Sequence, residues 1–453
     1  MQNFSKLNLS DEMLHNLNEL GFEKMTPIQA ESLPLILKNE DLIAQAKTGS
    51  GKTVAFGLGL LTRLDVKKFK IQSLILCPTR ELADQVAKEL RRLARFKHNI
   101  KISILCGGSP FGPQLGSLRH GAHIIVGTPG RVLAHLDKGS LVLDDLETLV
   151  LDEADRMLDM GFIEDIEKII SKTPASRQIL LFSATFPAQI SDLSASIQKD
   201  AKVIKTTSNE EKNKITEYFY ETDSKDFLST LVNILYTHKP QTSIVFSNTK
   251  LETQEIASYL RSKDIDALAI HGDLEQYERN DVLVQFSNRS CSVLIATDVA
   301  ARGLDIKDLN LVVNYDFPRD ESTYTHRIGR TGRAGKEGLA FTIYSDCHEA
   351  EFYKNDTRIF EEGASIEKAK EFSLEPPNVT LVIEAGKKDK MRPGDILGAL
   401  TGDAGLKGDM IGKIDIFDRQ AYVAIQRDKI QEAFKQLQRG KIKGKNIDIW
   451  ILE

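Results

Sequence analysis

Short apolar and β-branched runs recur along the chain, each followed by a polar or glycine-containing segment and then by an amphipathic stretch of helical length. The first set of runs lies at residues 41–45, 73–77, 124–126, 148–151 and 179–182. Strands that alternate with helices in this way predict a parallel sheet built from βαβ units. The polar stretch TTSNEEKNK at 206–214 has no periodicity and reads as a linker. The alternation then restarts, with candidate strands at 243–247, 267–270, 292–296, 310–314 and 339–344. The pattern therefore predicts two α/β domains, at 1–207 and 215–365, joined by a linker at 208–214.

From about residue 365 the pattern changes, and the charged, proline-containing connector KAKEFSLEPPN leads to a third region, giving a second linker at 366–378. Residues 379–453 read as strand 379–384, helix 393–401, strand 411–416, strand 420–426, helix 428–438 and strand 446–452. That βαββαβ order is the split ferredoxin-like arrangement used by RRM domains.

A chain of 453 residues is too long for one ordinary core, which agrees with three domains. With 41% hydrophobic and 28% charged residues and no long biased tract, it reads as a soluble globular protein. The N-terminus MQNFSKLNLSDEML lacks a basic segment followed by an apolar one, and no run reaches the roughly 18 apolar residues of a membrane span. A cytoplasmic protein without a membrane partner is expected. The cysteines Cys77, Cys106, Cys291 and Cys347 show no CxxC pair and no accompanying metal-ligand spacing, and so read as buried thiols. The net charge of −5 argues against indiscriminate nucleic-acid binding. Its distribution is uneven, however: residues 378–453 hold 14 Lys and Arg against 11 Asp and Glu, and the rest of the chain 46 against 54. A mildly basic tail on an acidic body marks where an anionic partner would be held.

The five runs of the first domain lead into AKTGSGKT, PTRELA, GTPGR, DEAD and SAT, and those of the second into SNT, HGD, TDVAARGLD and NYDFPRD. In an open parallel sheet, ligands bind beyond the carboxyl ends of the strands, so these segments converge on one functional edge in each domain.

Ala46-Lys47-Thr48-Gly49-Ser50-Gly51-Lys52-Thr53 is a phosphate-binding loop, a variant with Ala46 where the general motif has Gly. Its glycines turn backbone N–H groups toward phosphates, Lys52 supplies charge, and the Thr53 hydroxyl can ligate Mg²⁺. A plain glycine-rich turn is the competing reading. Asp152-Glu153 follows the strand Leu149-Val150-Leu151, where a carboxylate holds Mg²⁺ and its neighbour positions or deprotonates the attacking water. Acidic pairs at strand ends are common, and the coupling to the phosphate loop is what favours catalysis. In His326-Arg327-Ile328-Gly329-Arg330-Thr331-Gly332-Arg333 a dense set of cations suits the γ-phosphate in the transition state, with His326, Arg330 and Arg333 as candidates. Without the phosphate loop this segment would read as a solvated basic loop.

Phe22 through Gln29, followed in order by AKTGSGKT, PTRELA, TPGR, DEAD, SAT, TDVAARGLD and HRIGRTGR, resembles the motif set of the DEAD-box RNA helicases over residues 1 to about 345. The resemblance implies an α/β fold of two tandem RecA-like parallel-sheet domains with a C-terminal RRM-like domain, RNA-stimulated ATP hydrolysis, and ATP with Mg²⁺ as cofactors. It implies that Phe22, Thr26 and Gln29 recognise adenine with Phe4 stacking on it, that Gly303 and Asp305 meet the ribose side, and that Ser183 and Thr185 couple the nucleotide to domain closure. It also places Thr79, Arg80, Gly108, Thr128, Gly130 and Arg131, then Thr249, Gly272, Arg279, Thr297 and Arg302, along an RNA sugar-phosphate backbone. Such contacts hold RNA without reading bases. An ATP-gated RNA clamp or assembly scaffold, and a DNA helicase or translocase, remain as alternatives.

The tail segments GKKDKMRPGDILGALTGDAGL and QLQRGKIKGKNI resemble the specificity domain of bacterial DEAD-box helicases that act on 23S ribosomal RNA. The resemblance implies local unwinding in pre-50S particles during large-subunit assembly, by a protein acting as a monomer. The aromatic signature of an RRM sheet is reduced to Tyr422, so RNA recognition is expected to use Lys387, Lys388, Lys390 and Arg392 with Lys441, Lys443 and Lys445. For any one of these lysines, a solvated surface charge is the competing reading.

Overall fold

The computed structural model describes residues 2–46, 49–206, 215–301, 309–332, 337–345, 350–351, 353–355, 357–403 and 405–452. The expected linker at 208–214 lies outside the described residues. The chain forms two compact units, one of residues up to 206 and one from 215 onward.

The first unit is a seven-stranded sheet with strands β1 Leu42–Gln45, β2 Ser73–Leu76, β3 Ile102–Leu105, β4 Ile124–Gly127, β5 Thr148–Asp152, β6 Gln178–Ser183 and β7 Lys202–Lys205. Their order is β3-β4-β2-β5-β6-β1-β7, and every pairing is parallel. Both faces are covered, which is why the central strands read as continuous apolar runs. In β5, for example, Leu149, Val150 and Leu151 are fully buried, and each such side chain stabilises the fold by roughly 1.5–3 kcal/mol. Helix Arg80–Leu93 shows how the flanking helices are specified. Leu82, Ala83, Val86, Ala87, Leu90 and Leu93 form its buried stripe, and the Thr79 hydroxyl caps it by accepting from Leu82 N at 3.3 Å.

The second unit repeats the design with β8 Ile215–Glu221, β9 Ser243–Ser247, β10 Ala267–Ile270, β11 Val293–Thr297, β12 Leu311–Asn314, β13 Gly338–Tyr344 and β14 Arg358–Glu362, in the parallel order β10-β11-β9-β12-β13-β8-β14. The two seven-stranded sheets are tandem RecA-like domains. Strands β3, β7, β8 and β14 are absent from the sequence expectation. β3, β7 and β14 are sheet edges, and the half-exposed KVIK and RIFEE lack the apolar continuity that marks a central strand. In β8, ITEYFYE, three charged or polar positions break the run.

The same unit carries a four-stranded antiparallel sheet, β15 Asn378–Ile383, β16 Ile411–Ile416, β17 Ala421–Gln426 and β18 Ile449–Ile451, in the order β16-β17-β15-β18. Helices Pro393–Gly398 and Ile430–Arg439 cover one face, burying Leu381, Ile383, Ile396, Val423, Ile425 and Leu437. This is the expected βαββαβ domain, with its last strand shorter than expected.

Its other face packs against the second RecA-like domain. Val382 and Tyr422 are buried with Val284 of helix Gln276–Ser287, and the Tyr422 hydroxyl donates to Asp281 Oδ1 at 2.7 Å. Asn288 Nδ2 donates to the Thr380 hydroxyl at 3.4 Å, and that hydroxyl donates to Ser290 Oγ at 2.8 Å. The connector before β15 is bound too: Ala369 N donates to Asn233 at 2.8 Å, and Leu374 bridges to Ile265. Among the described residues no helix is long and apolar enough to cross a membrane.

Candidate nucleotide site and nucleic-acid interface

The phosphate loop runs from the end of β1 into helix Lys52–Arg63. Its backbone requires glycine at two points, Gly49 at φ 87° and Gly51 at φ 94°. A Cβ on Gly51 would lie 2.4 Å from Gln29 Nε2, so glycine there also permits close approach of the upstream motif. Gln29 is buried and uses both ends of its amide: Oε1 accepts from Thr26 N at 2.9 Å, and Nε2 donates to Gly51 O at 3.1 Å. The expected adenine-recognition residues are thus tied directly to the phosphate loop. Phe22 is half-buried beneath the Arg92 guanidinium, 5.3 Å from its ring centre. Phe4 lies upstream in a short helical turn, Phe4–Lys6. It is only 3% exposed and belongs to the same core cluster as Leu9, Met13, Leu17 and Met25.

Lys52 is buried and donates from Nζ to Ala46 O at 3.0 Å. Ala46 lies at the start of the loop and Thr53 in the first helical turn, whereas Lys47 and Thr48 lie outside the described residues. At the end of β5, burial raises the Asp152 carboxyl to about 6, against the pull of Lys52 and with a further push from Glu153. Asp152 Oδ1 and Ser50 Oγ are buried without hydrogen-bond partners. Buried polar atoms in that condition belong where a ligand completes them, so the residues fit a magnesium-bound nucleotide. Asp152 and Thr53 would hold the ion, which would neutralise phosphate charge when bound.

Glu153 has φ 53° and ψ 52°, a left-handed backbone that costs a non-glycine residue about 1–3 kcal/mol. Beside it, Asp155 makes a link that sequence reasoning missed. Its Oδ2 accepts from both Thr185 N and Thr185 Oγ1 at 2.8 Å, while the Ser183 hydroxyl donates to Thr185 O at 2.6 Å. The expected coupling pair is therefore bonded to the acidic motif itself. The fourth letter of DEAD was the available signal.

Of the expected RNA-backbone residues of the first domain, Arg80, Gly108 and Arg131 meet at one loop. Arg80 Nη2 donates to Ser109 Oγ at 3.2 Å, and Arg131 Nη1 donates to Ser109 O at 2.9 Å and to Gln114 Oε1 at 3.2 Å. Gly108 supplies the turn at φ 70°. Thr79 and Thr128 precede the helices that follow β2 and β4, and Gly130 sits in the first turn after Thr128. The Arg80 Nη1 atom is buried without a partner.

In the second RecA-like domain, Thr249 caps helix Lys250–Arg261 by accepting from Glu252 N at 3.2 Å, Gly272 follows β10, and Arg279 donates to Ala300 O at 2.6 Å. The Thr297 hydroxyl accepts from Ala300 N at 3.4 Å. Arg302, Gly303, Asp305 and Arg333 lie outside the described residues. His326 is half-buried and Arg330 buried, both at the end of helix Glu321–Ile328. Arg327, passed over in the sequence reading, is the hub: its Nε and Nη2 grip Asp298 at 2.7 and 2.8 Å, and it donates to Asn248 at 3.0 Å and Asn314 at 3.3 Å. It thereby ties the segments after β9, β11 and β12 to the HRIGRTGR segment.

On the tail, Lys387, Lys388, Lys390, Arg392, Lys441, Lys443 and Lys445 are all exposed. Lys443 donates to Lys390 O at 2.7 Å and pairs with Asp395 at 3.4 Å, which joins the two basic clusters in one patch. Cys77, Cys106 and Cys291 are buried, and burial pushes the last two thiols up to about 12, so they are inert. Cys347 lies outside the described residues.

Two RecA-like sheets with a phosphate loop, an acidic strand end and a basic motif at their carboxyl edges define a nucleotide-hydrolysing nucleic-acid motor. The chain belongs to the DEAD-box helicase family: residues 26–193 match the DEAD/DEAH box helicase family, 226–335 the helicase conserved C-terminal domain and 380–451 the DbpA RNA binding domain. It is 52% identical over 457 residues to the ATP-dependent RNA helicase DbpA of Escherichia coli strain K12, with the whole of both chains covered. Among solved structures, Saccharomyces cerevisiae Dbp5 bound to RNA and ADP BeF3 matches with a TM-score of 0.71 at 31% identity, over 80% of this chain and 96% of that one. The enzyme is an ATP-dependent RNA helicase that binds ATP and RNA.

Proposed function

We propose that the protein uses ATP to separate short RNA duplexes locally and that its C-terminal domain directs it to 23S ribosomal RNA in assembling large ribosomal subunits, with magnesium serving the bound ATP. The observation that carries the helicase part is the continuity within the first domain. Gln29 contacts the phosphate loop, and the acidic motif that follows β5 is bonded to Thr185 after β6. On the same sheet edge, Arg80 and Arg131 converge on Ser109. Lying along one sheet edge, these contacts support a reading in which a change at the nucleotide reaches the groups that hold RNA. Lys52 holds the phosphates, Asp152 and Thr53 the ion, Glu153 orients water, and Arg330 with Arg333 offset the developing charge.

The exposed basic patch formed by Lys387 to Arg392 and Lys441 to Lys445 supports tail-directed RNA binding, because the sheet face that carries Tyr422 is already occupied by Val284 and Asp281. Strand separation is measured on a labelled short RNA duplex, with and without a flanking 23S segment. ATP-dependent separation that requires the 23S segment is expected, and Lys52→Ala is expected to abolish it. Tight ATP-dependent RNA retention without separation would instead indicate a clamp, and equal separation of a DNA duplex a DNA translocase.

A further inference from the structure

We infer that Arg156, the residue after the DEAD run, is a positioning residue that holds the Glu153 carboxylate in its working orientation. This rests on the reading of Glu153 as the group that orients the attacking water.

Left-handed backbone fixes where the Glu153 side chain departs from the chain, but not how its rotatable bonds settle. At 4% exposure bulk water does not set the carboxylate's orientation, so a charged neighbour within reach contributes to it. Arg156 lies three residues on, on the same short helix Ala154–Asp159, with Nε 3.4 Å from Glu153 Oε2 and only 5% of its own surface exposed. The neighbouring carboxylates have other partners: Asp155 is held by Thr185, and Asp152 faces Lys52. Burying a guanidinium is costly, and an apolar side chain of similar length would fill the space more cheaply. Arg156 Nη1 and Glu153 Oε2 are both buried without a hydrogen-bond partner, so the contact between the two side chains is an ion pair and not a hydrogen bond. An arginine kept in that state is retained for its charge against Glu153, not for packing bonds.

The test is single-turnover, RNA-stimulated ATP hydrolysis by the full-length protein in wild type, Arg156→Gln, Arg156→Lys and Glu153→Gln. Arg156→Gln is expected to slow hydrolysis by roughly tenfold to a hundredfold, since small misplacement of a catalytic group costs that much, while KM for ATP and RNA affinity stay within about twofold. Arg156→Lys, which keeps the charge, is expected to recover most of the rate. Arg156→Met, which fills the space without charge, is read in place of Arg156→Gln if the latter melts early. A normal rate in Arg156→Gln or Arg156→Met beside an inactive Glu153→Gln overturns the inference, as does a rise in KM with kcat unchanged. A normal rate in Glu153→Gln overturns the reading of Glu153 itself.

Discussion

Replacing Val382 by Asp should release the C-terminal domain from the second RecA-like domain while leaving both folded. Val382 is 1% exposed and sits with Val284 and Tyr422 in a small apolar patch on the sheet face, away from that domain's own core. Burial of one valine is worth roughly 1.5–3 kcal/mol, and forcing a carboxylate into the same place adds several more. The remaining links are polar: Tyr422 to Asp281, Asn288 to Thr380, Thr380 to Ser290, Asn378 to Asn288 O and Arg289 O, Lys413 to Ser287, and the half-exposed Arg427–Asp266 ion pair. Each is worth about 1 kcal/mol or less, and those of Thr380 and Tyr422 lie on the same sheet face as Val382 and are lost when a buried carboxylate forces that face open, so the peripheral links are left to hold the domain alone. The chain's single tryptophan, Trp450, reports the event, since it is the cross-strand partner of Val382 and is 37% exposed in the docked domain. Acrylamide quenching of Trp450 fluorescence should rise in Val382→Asp to that of an open indole. Tyr422→Phe removes only the hydroxyl from the half-buried Asp281, a loss of about 1 kcal/mol, or a fivefold shift in the docked population, and should quench almost like wild type. Unchanged quenching in Val382→Asp, with ATPase intact, would refute the reasoning.

Burial holds the Asp152 carboxyl near 6, above its ordinary 3.8, so the native protein carries a penalty that is present above about pH 6 and gone below about pH 4. Asp152→Asn should therefore melt above wild type at pH 8 without nucleotide, with the difference closing as the pH is lowered to 4. Arg327→Ala strands Asp298, Asn248 and Asn314, and should cost the second RecA-like domain about 3–5 kcal/mol, read by urea denaturation followed by limited proteolysis. Glutamine at Lys387, Lys388, Lys390 and Arg392 together should weaken binding to 23S rRNA and flatten its salt dependence, while poly-A affinity stays unchanged; filter binding at two salt concentrations checks this.

The central strands were legible because a strand buried on both faces carries a continuous apolar run, as Leu149–Leu151 of β5 and Val293–Ala296 of β11 do. The edge strands β7 and β14 were not, because half of their residues face water and carry charge. Site residues with chemistry in their own side chains, such as Lys52 and Asp152, could be named from the motif. Those that act by holding another residue could not: Asp155, Arg156 and Arg327 declare themselves only through the partners that the fold brings to them. The occupied sheet face of the tail was half legible. The scarcity of aromatics spoke against base stacking, but nothing in VTLVIE or AYVAIQ showed that helix Gln276–Ser287 lies against it.

The most direct test of the central claim is steady-state ATPase of the full-length protein with no nucleic acid, duplex DNA, poly-A RNA or 23S rRNA. Strong stimulation by 23S rRNA, weak stimulation by poly-A RNA and none by DNA is the predicted result. Equal stimulation by both RNAs would contradict the targeting role of the tail, and no response to RNA would contradict the coupling of nucleotide to RNA on which the account depends.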